Sequence, residues 1–179
     1  MPVGVTRRLF DVDDYHRMAQ AGILSEADRV ELIDGEIVAM TPIGPRHNAA
    51  VNRATSVLVP VVGNRAIVQV QGSIRLDRFL EPEPDIVLLR PQPDFYASQL
   101  PGASDIYLII EFADSSLGYD RDVKARIYAQ AGVREYWLVD LDHRSVSLRL
   151  YRFRADLIFR TCRRRSARAT AVRRWCLDP

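Results

Sequence analysis

The sequence is short of lysine and cysteine and has no long apolar run. Lys124 is the sole lysine; every other basic residue is arginine. The only cysteines are Cys162 and Cys176. They make neither a zinc-ligand pattern nor a disulfide framework, and they read as incidental thiols of a reducing compartment. No apolar stretch is long enough to span a bilayer, so no membrane-spanning helix is expected. The opening residues, MPVGVTRRLFDVDDY, lack the apolar h-region of a secretory signal, so the expected compartment is the cytoplasm. There is no GxSxG nucleophile turn, and Ser115 and Ser116 have no histidine near them in sequence. They read as turn and capping residues.

What is present is an ordinary globular composition with an uneven charge. Of 179 residues, 47% are apolar and 27% charged, which suits one domain with a full core. The net charge of +2 hides a split. Residues 1–148 carry a net −6, and residues 149–179 carry ten arginines against Asp156 and Asp178. An arginine bias this strong suggests a GC-rich coding sequence. Against that background the one lysine is informative, because an ammonium and a guanidinium do different chemistry.

Along the chain, FDVDDYHRMAQAG predicts a short helix with Asp11 or Asp13 at its start and Gly22 past its end. RVELI and EIVAM flank Asp34-Gly35, the dipeptide of a type I′ hairpin turn. A helix is expected over 46–62, with Ala50, Ala54, Val57, Leu58 and Val61 on one stripe. AIVQV and SIRL are strand candidates on either side of Gly72. DIVLL and YLIIEF read as strands covered on both faces, because they are apolar at successive positions. Asp120 is expected to cap a helix running to Ala131, with Val123, Ile127 and Ala131 toward the sheet and Lys124 at the border of that stripe, outside the core. EYWLVDL and SVSLRLY complete the strands. This order predicts an α/β fold with a mixed central sheet. The segment 152–179 shows no strand or helix period. It reads either as a basic arm for nucleic-acid phosphates or as a chain end without a defined role, including an out-of-frame extension. Because basic tails are common, the second reading carries more weight.

Three pieces carry chemistry. Asp85 opens DIVLL after Pro84, Glu111 closes YLIIE, and Lys124 lies one helical turn after Asp120. Carboxylates at the ends of neighbouring buried strands can share a hard cation such as Mg²⁺, which prefers oxygen ligands and retains waters. Such an ion polarises a phosphodiester and lowers the pKa of an attacking water, while a nearby ammonium offsets growing negative charge. Each residue alone has a plainer reading: a turn aspartate, a strand-end glutamate, a solvated lysine.

The segments RVELIDGEIVAMTPIGPRHN, EPEPDIVLLRP and IIEFADSSLGYDRDVKARIYAQAGVREYWLVDL resemble the Uma-two family of bacterial proteins. That family is classed with restriction endonucleases in the PD-(D/E)XK nuclease superfamily. The resemblance covers about residues 6–151 and implies a restriction-endonuclease-like core of helix, three strands, helix and strand. It makes Asp85 and Glu111 the acidic metal ligands. The superfamily's usual lysine position, two residues after the glutamate, is Ala113 here; the family's lysine on the following helix matches Lys124. Glu31 in the hairpin matches a further acidic position, and His47 matches a position that contacts the metal or a phosphate.

The expectation is thus a nuclease domain over 1–151 and an atypical arginine-rich tail over 152–179. The expected activity is Mg²⁺-dependent hydrolysis of DNA phosphodiesters, with Mn²⁺ as a substitute ion. Asp85, Glu111, Glu31, His47 and Lys124 form the site, and Arg46, Arg121 and Arg126 are candidates for phosphate contact. A homodimer is plausible because cutting two strands calls for two sites. The rival reading is a nuclease fold without turnover that binds nucleic acid or a protein partner.

Overall fold

The computed structural model of the chain describes residues 7–25, 27–150 and 162–164. The first helix, α1 (Val12–Gln20), starts at Asp11. The Asp11 carboxylate accepts from the Asp14 amide at 2.8 Å, while the Asp14 side chain reaches back to the Asp11 amide. This reciprocal cap satisfies amides that the first turn of a helix leaves without partners. Strands β1 (Val30–Ile33) and β2 (Glu36–Ala39) form the expected hairpin. Its turn holds Asp34 at φ 50° and Gly35 at φ 78°, the left-handed pair that a type I′ turn requires. The hairpin is tied to the EPEP segment by paired backbone bonds between Leu32 and Glu81, at 2.8 and 3.2 Å.

Helix α2 spans Pro45–Val62, with proline at its first position, where no amide hydrogen is needed. The apolar stripe is turned from the one expected. Val51, Leu58 and Val62 are buried, with Ala50 and Ala54 packed beside them, whereas Val57 lies 48% exposed. A valine-rich helix offers several overlapping stripes, and contact with the sheet selects among them.

The main sheet holds β3 (Ile67–Val70), β4 (Ile86–Leu89), β5 (Ile106–Ala113), β6 (Glu135–Asp140), β7 (Ser145–Leu150) and the short β8 (Cys162–Arg164), in that spatial order. Only β5 and β6 run parallel. Their crossover is one continuous helical rod: α3 (Leu117–Tyr119), a π-turn at Asp120–Lys124, and α4 (Ala125–Gln130). The mixed α/β architecture is therefore the expected one. Every residue of β4 and all but Tyr107 in β5 are buried, which accounts for their unbroken apolar runs. One face packs Val87, Leu89 and Ile109 against Ala125, Ile127 and Tyr128 of α4. The other packs Ile86, Leu88, Leu108, Ile110 and Phe112 against α2.

Two expectations need correction. SIRL is not a strand: Ile74 and Arg75 donate to the carbonyls of Pro82 and Pro101, so loops rather than a neighbouring strand take their bonds. The segment 152–179 contains β8, although the sequence there shows no strand period; it pairs antiparallel with β7. The expected boundary between a domain and a tail, at 151/152, lies outside the described residues, as does most of 152–179.

Candidate active site

Asp85 and Glu111 meet because of strand register. Ile86 pairs with Ile110 across the antiparallel β4–β5 ladder, so the preceding residue on β4 stands opposite the following residue on β5. The Asp85 amide lies 3.3 Å from Glu111 Oε2. Asp85 Oδ2 accepts from the Phe112 amide at 2.9 Å and contacts His47 Nε2 at 2.9 Å. His47 comes from the first turn of α2, so the aspartate links both faces of the sheet.

Glu111 is 3% exposed, and each of its oxygens is engaged. Lys124 Nζ lies 3.0 Å from Oε1, and the Tyr128 hydroxyl donates to the same atom at 2.9 Å. Glu31 arrives from β1, with Oε1 3.4 Å from Lys124 Nζ and Oε2 accepting from the Glu83 amide at 3.2 Å. The hairpin tie at Leu32 and Glu81 therefore sets the position of Glu31. All five expected residues line one cleft of about 380 Å³, together with Arg29, Glu83, Asp114, Tyr119 and Asp120.

Lys124 does not sit at the rim as expected. It is 6% exposed. The reason is the π-turn, in which the Ala125 amide bonds back to the Asp120 carbonyl. A turn with one extra residue shifts the side chains that follow it, and such turns are frequent at functional sites. Asp120 is also not a helix cap. It lies inside the rod, 4% exposed, and Ser116 from the preceding turn donates to its carboxylate. The rings of Tyr128 and Tyr136 meet at a 55° tilt with centroids 5.3 Å apart, and the Tyr136 hydroxyl donates to the Asp120 carbonyl.

The electrostatics follow from crowding four buried or nearly buried carboxylates around one ammonium. Burial pushes the Glu111 carboxyl up to about 8; Lys124 opposes this, and Asp85, Asp120 and Glu31 add to it. Burial alone would lower the Lys124 ammonium, but Glu111, Glu31 and Asp120 outweigh it and hold the amine protonated. Burial likewise raises Asp120. The hydrogen bond with Asp85 raises His47, against the effect of its own burial.

This donor set fits a hard cation. The carboxylates are oxygen ligands, and their unbalanced negative charge is what a divalent ion would offset. Asp85 and Glu111 would hold it, with Glu31 and His47 beside them. Among the described residues, no three His, Cys, Asp or Glu side chains are grouped as a metal cage.

The expected phosphate contacts are placed differently. Arg46 binds Asp142 at 2.7 Å and Asp114 at 3.1 Å, pinning the loops after β5 and β6. Arg121 pairs with Asp122, and Arg126 pairs with Asp34 at 3.0 Å. The cleft's own guanidinium is Arg29, 3.7 Å from Glu83. Sequence reasoning missed Tyr119 and Tyr128 as site residues. For Tyr128 a signal existed: it lies four residues after Lys124, on the same side of the helix.

The sequence profile of Uma2, described as "Putative restriction endonuclease", matches residues 12–154. The chain belongs to the Uma2 family. The match spans α1 through β7 and so includes every residue of the cleft. The Uma2 chain is also similar to a solved structure described as "a putative nuclease belonging to DUF820" from Anabaena variabilis. The TM-score is 0.67 at 18% identity, over 81% of this chain and 82% of that one, which shows a shared fold. No curated protein matches the chain. Among the described residues, no helix is long and apolar enough to cross a membrane.

Proposed function

We propose that this Uma2 protein is a Mg²⁺-dependent endonuclease acting on DNA. The supporting observation is the convergence of Asp85, Glu111 and Lys124, with 3.3 Å between the Asp85 amide and Glu111 and 3.0 Å between Glu111 and Lys124. Membership of a family described as "Putative restriction endonuclease" supports the same class.

Asp85 and Glu111 would hold the ion, with Glu31 and His47 beside them. When bound, Mg²⁺ would polarise the phosphate and make an attacking water more acidic. Water attacks phosphorus and one P–O ester bond breaks, leaving a phosphomonoester end and a hydroxyl end. Lys124, held by Glu111 and Glu31, has three N–H donors, so one remains for the attacking water or a phosphate oxygen. The acidic wall repels a phosphate unless the ion is present, which makes cleavage depend on the metal.

The test is cleavage of plasmid and linear DNA with Mg²⁺ or Mn²⁺ and with chelator, comparing the parent protein with Asp85→Ala and Lys124→Ala. Metal-dependent cleavage that both substitutions abolish is the expected result. Salt-sensitive DNA binding without cleavage supports instead a nuclease fold that has lost turnover. Neither cleavage nor binding removes the nucleic-acid reading. Sedimentation with and without DNA would show whether two copies act together.

A further inference from the structure

Four side-chain atoms among the described residues are buried without a hydrogen-bond partner: His47 Nδ1, Gln71 Nε2, Glu81 Oε2 and Tyr119 OH. Glu81 stands outside the cleft, with its other oxygen on His16 at 2.8 Å, and Gln71 does not line the cleft. His47 and Tyr119 do line it. The second nitrogen of His47 is already on Asp85. Tyr119 is half-buried and its hydroxyl makes no hydrogen bond, although Glu31, Lys124 and Asp120 are charged neighbours.

An unpaired buried hydroxyl destabilises the fold relative to one that keeps its bonds to water. A phenylalanine would fill the same space without that cost. The buried carboxylates whose charge bears on the phenol, Glu31 and Asp120, bind other groups and leave its hydroxyl without a bond. Glu31 holds Lys124 and the Glu83 amide, and Asp120 holds Ser116. The hydroxyl is therefore open to a partner from outside the chain, and as a donor it suits an acceptor able to enter a cleft walled by carboxylates. A phosphate oxygen meets both conditions once the cleft is neutralised.

We infer that the Tyr119 hydroxyl contacts the substrate, donating to a non-bridging oxygen of the phosphate that is cleaved. This rests on the nuclease reading above and extends it. A phenol adds a donor without adding a charge, so it orients the phosphate without competing with Lys124 for Glu111. Its position, five residues before Lys124 and on the other side of the π-turn, lets one helical rod supply both the ammonium and the phosphate donor.

The experiment compares the full-length parent protein with Tyr119→Phe. It measures the cleavage rate on an oligonucleotide duplex with Mg²⁺, fluorescence-anisotropy binding of that duplex with Ca²⁺ in place of Mg²⁺, and the melting temperature. The rate should fall roughly tenfold to a hundredfold, because one donor to the reacting phosphate is lost. The melting temperature without DNA should stay level or rise, because an unpaired buried group is removed. Parental cleavage by Tyr119→Phe overturns the inference and leaves the nuclease reading intact. A drop in melting temperature with no change in rate per folded molecule makes Tyr119 a packing residue and also overturns it. A parent protein that neither cuts nor binds the duplex overturns both.

Discussion

Two recesses of nearly equal size lie at opposite ends of α2. One, of about 390 Å³, is walled by Val59, Val62, Ala66, Ile67, Pro91 and Phe95 and holds no ionisable side chain. The other, of about 380 Å³, holds Glu31, Asp85, Glu111, Asp120 and Lys124. Both are hollows at the margin of the same sheet, so volume does not separate them. Their energetics do. Apolar walls stabilise the fold by leaving water, at about 25 cal/mol per Å² buried. Buried charges do not: removing them from water costs several kcal/mol per ion, which their mutual attraction only partly returns. A chain that holds four carboxylates and an ammonium at such a cost in one recess, and none in the other, has placed its chemistry in the first.

The largest way to break this comparison is Lys124→Met. It leaves Glu111 and Glu31 buried without their cation, which costs about 3–5 kcal/mol of stability, and it removes cleavage. Urea denaturation and a plasmid assay on the same sample measure the two losses. Combining it with E111Q removes the charge at both ends of the pair. Glu31 still lacks its cation in the double variant, which should recover part of the lost stability and none of the cleavage. If the single variant is as stable as the parent, the ion pair is not buried as described, and the contrast between the recesses fails.

Val62→Ala probes the other recess. Val62 is 3% exposed and lines the apolar hollow. Its truncation should cost about 1–2 kcal/mol through lost burial and a residual cavity. Turnover per folded molecule should not change, because the substitution lies near the far end of an 18-residue helix from His47. A fall in turnover with metal affinity unchanged would mean that the two ends of α2 are coupled.

How much of this was legible in sequence differs between the two recesses for the same physical reason. The apolar framework was readable because burial on both faces writes unbroken runs such as DIVLL and YLIIEF, and because Asp34-Gly35 has few uses other than a tight turn. Asp85, Glu111 and Lys124 were readable as residue types in a family's order. Their depth was not. A constant 100° per residue places Lys124 at the border of its stripe, and only the π-turn at Asp120–Lys124 brings it inward. Asp120 read as a cap because an aspartate before a helical stretch usually is one, yet the rod already begins at Leu117. SIRL alternates like a strand, but whether a strand forms depends on a neighbour, and here loop carbonyls take the bonds. Arg46 and Arg126 read as phosphate contacts because their carboxylate partners lie far away in sequence, at Asp114, Asp142 and Asp34.

The finest test of the contrast is the pH dependence of stability with and without metal. Of the two recesses only the polar one can contribute to it, because the apolar one has nothing to titrate. Glu111 has a folded value raised to about 8, above the 4.5 of an ordinary glutamate. Between those values the unfolded chain has released the proton while the folded chain retains it. Stability from this group is therefore lost as pH rises through that window. Mg²⁺ must displace the same proton, so its affinity and the stabilisation it brings should rise over the same window. The melting temperature, followed from about pH 5 to about pH 8, should fall in chelator and fall less, or rise, in excess Mg²⁺. The gap between the two curves should widen by a few degrees, and Val62→Ala should lower both curves without changing the gap. Parallel curves would mean that no ion competes for Glu111, and the polar recess would then be a structural ion-pair network rather than a metal centre.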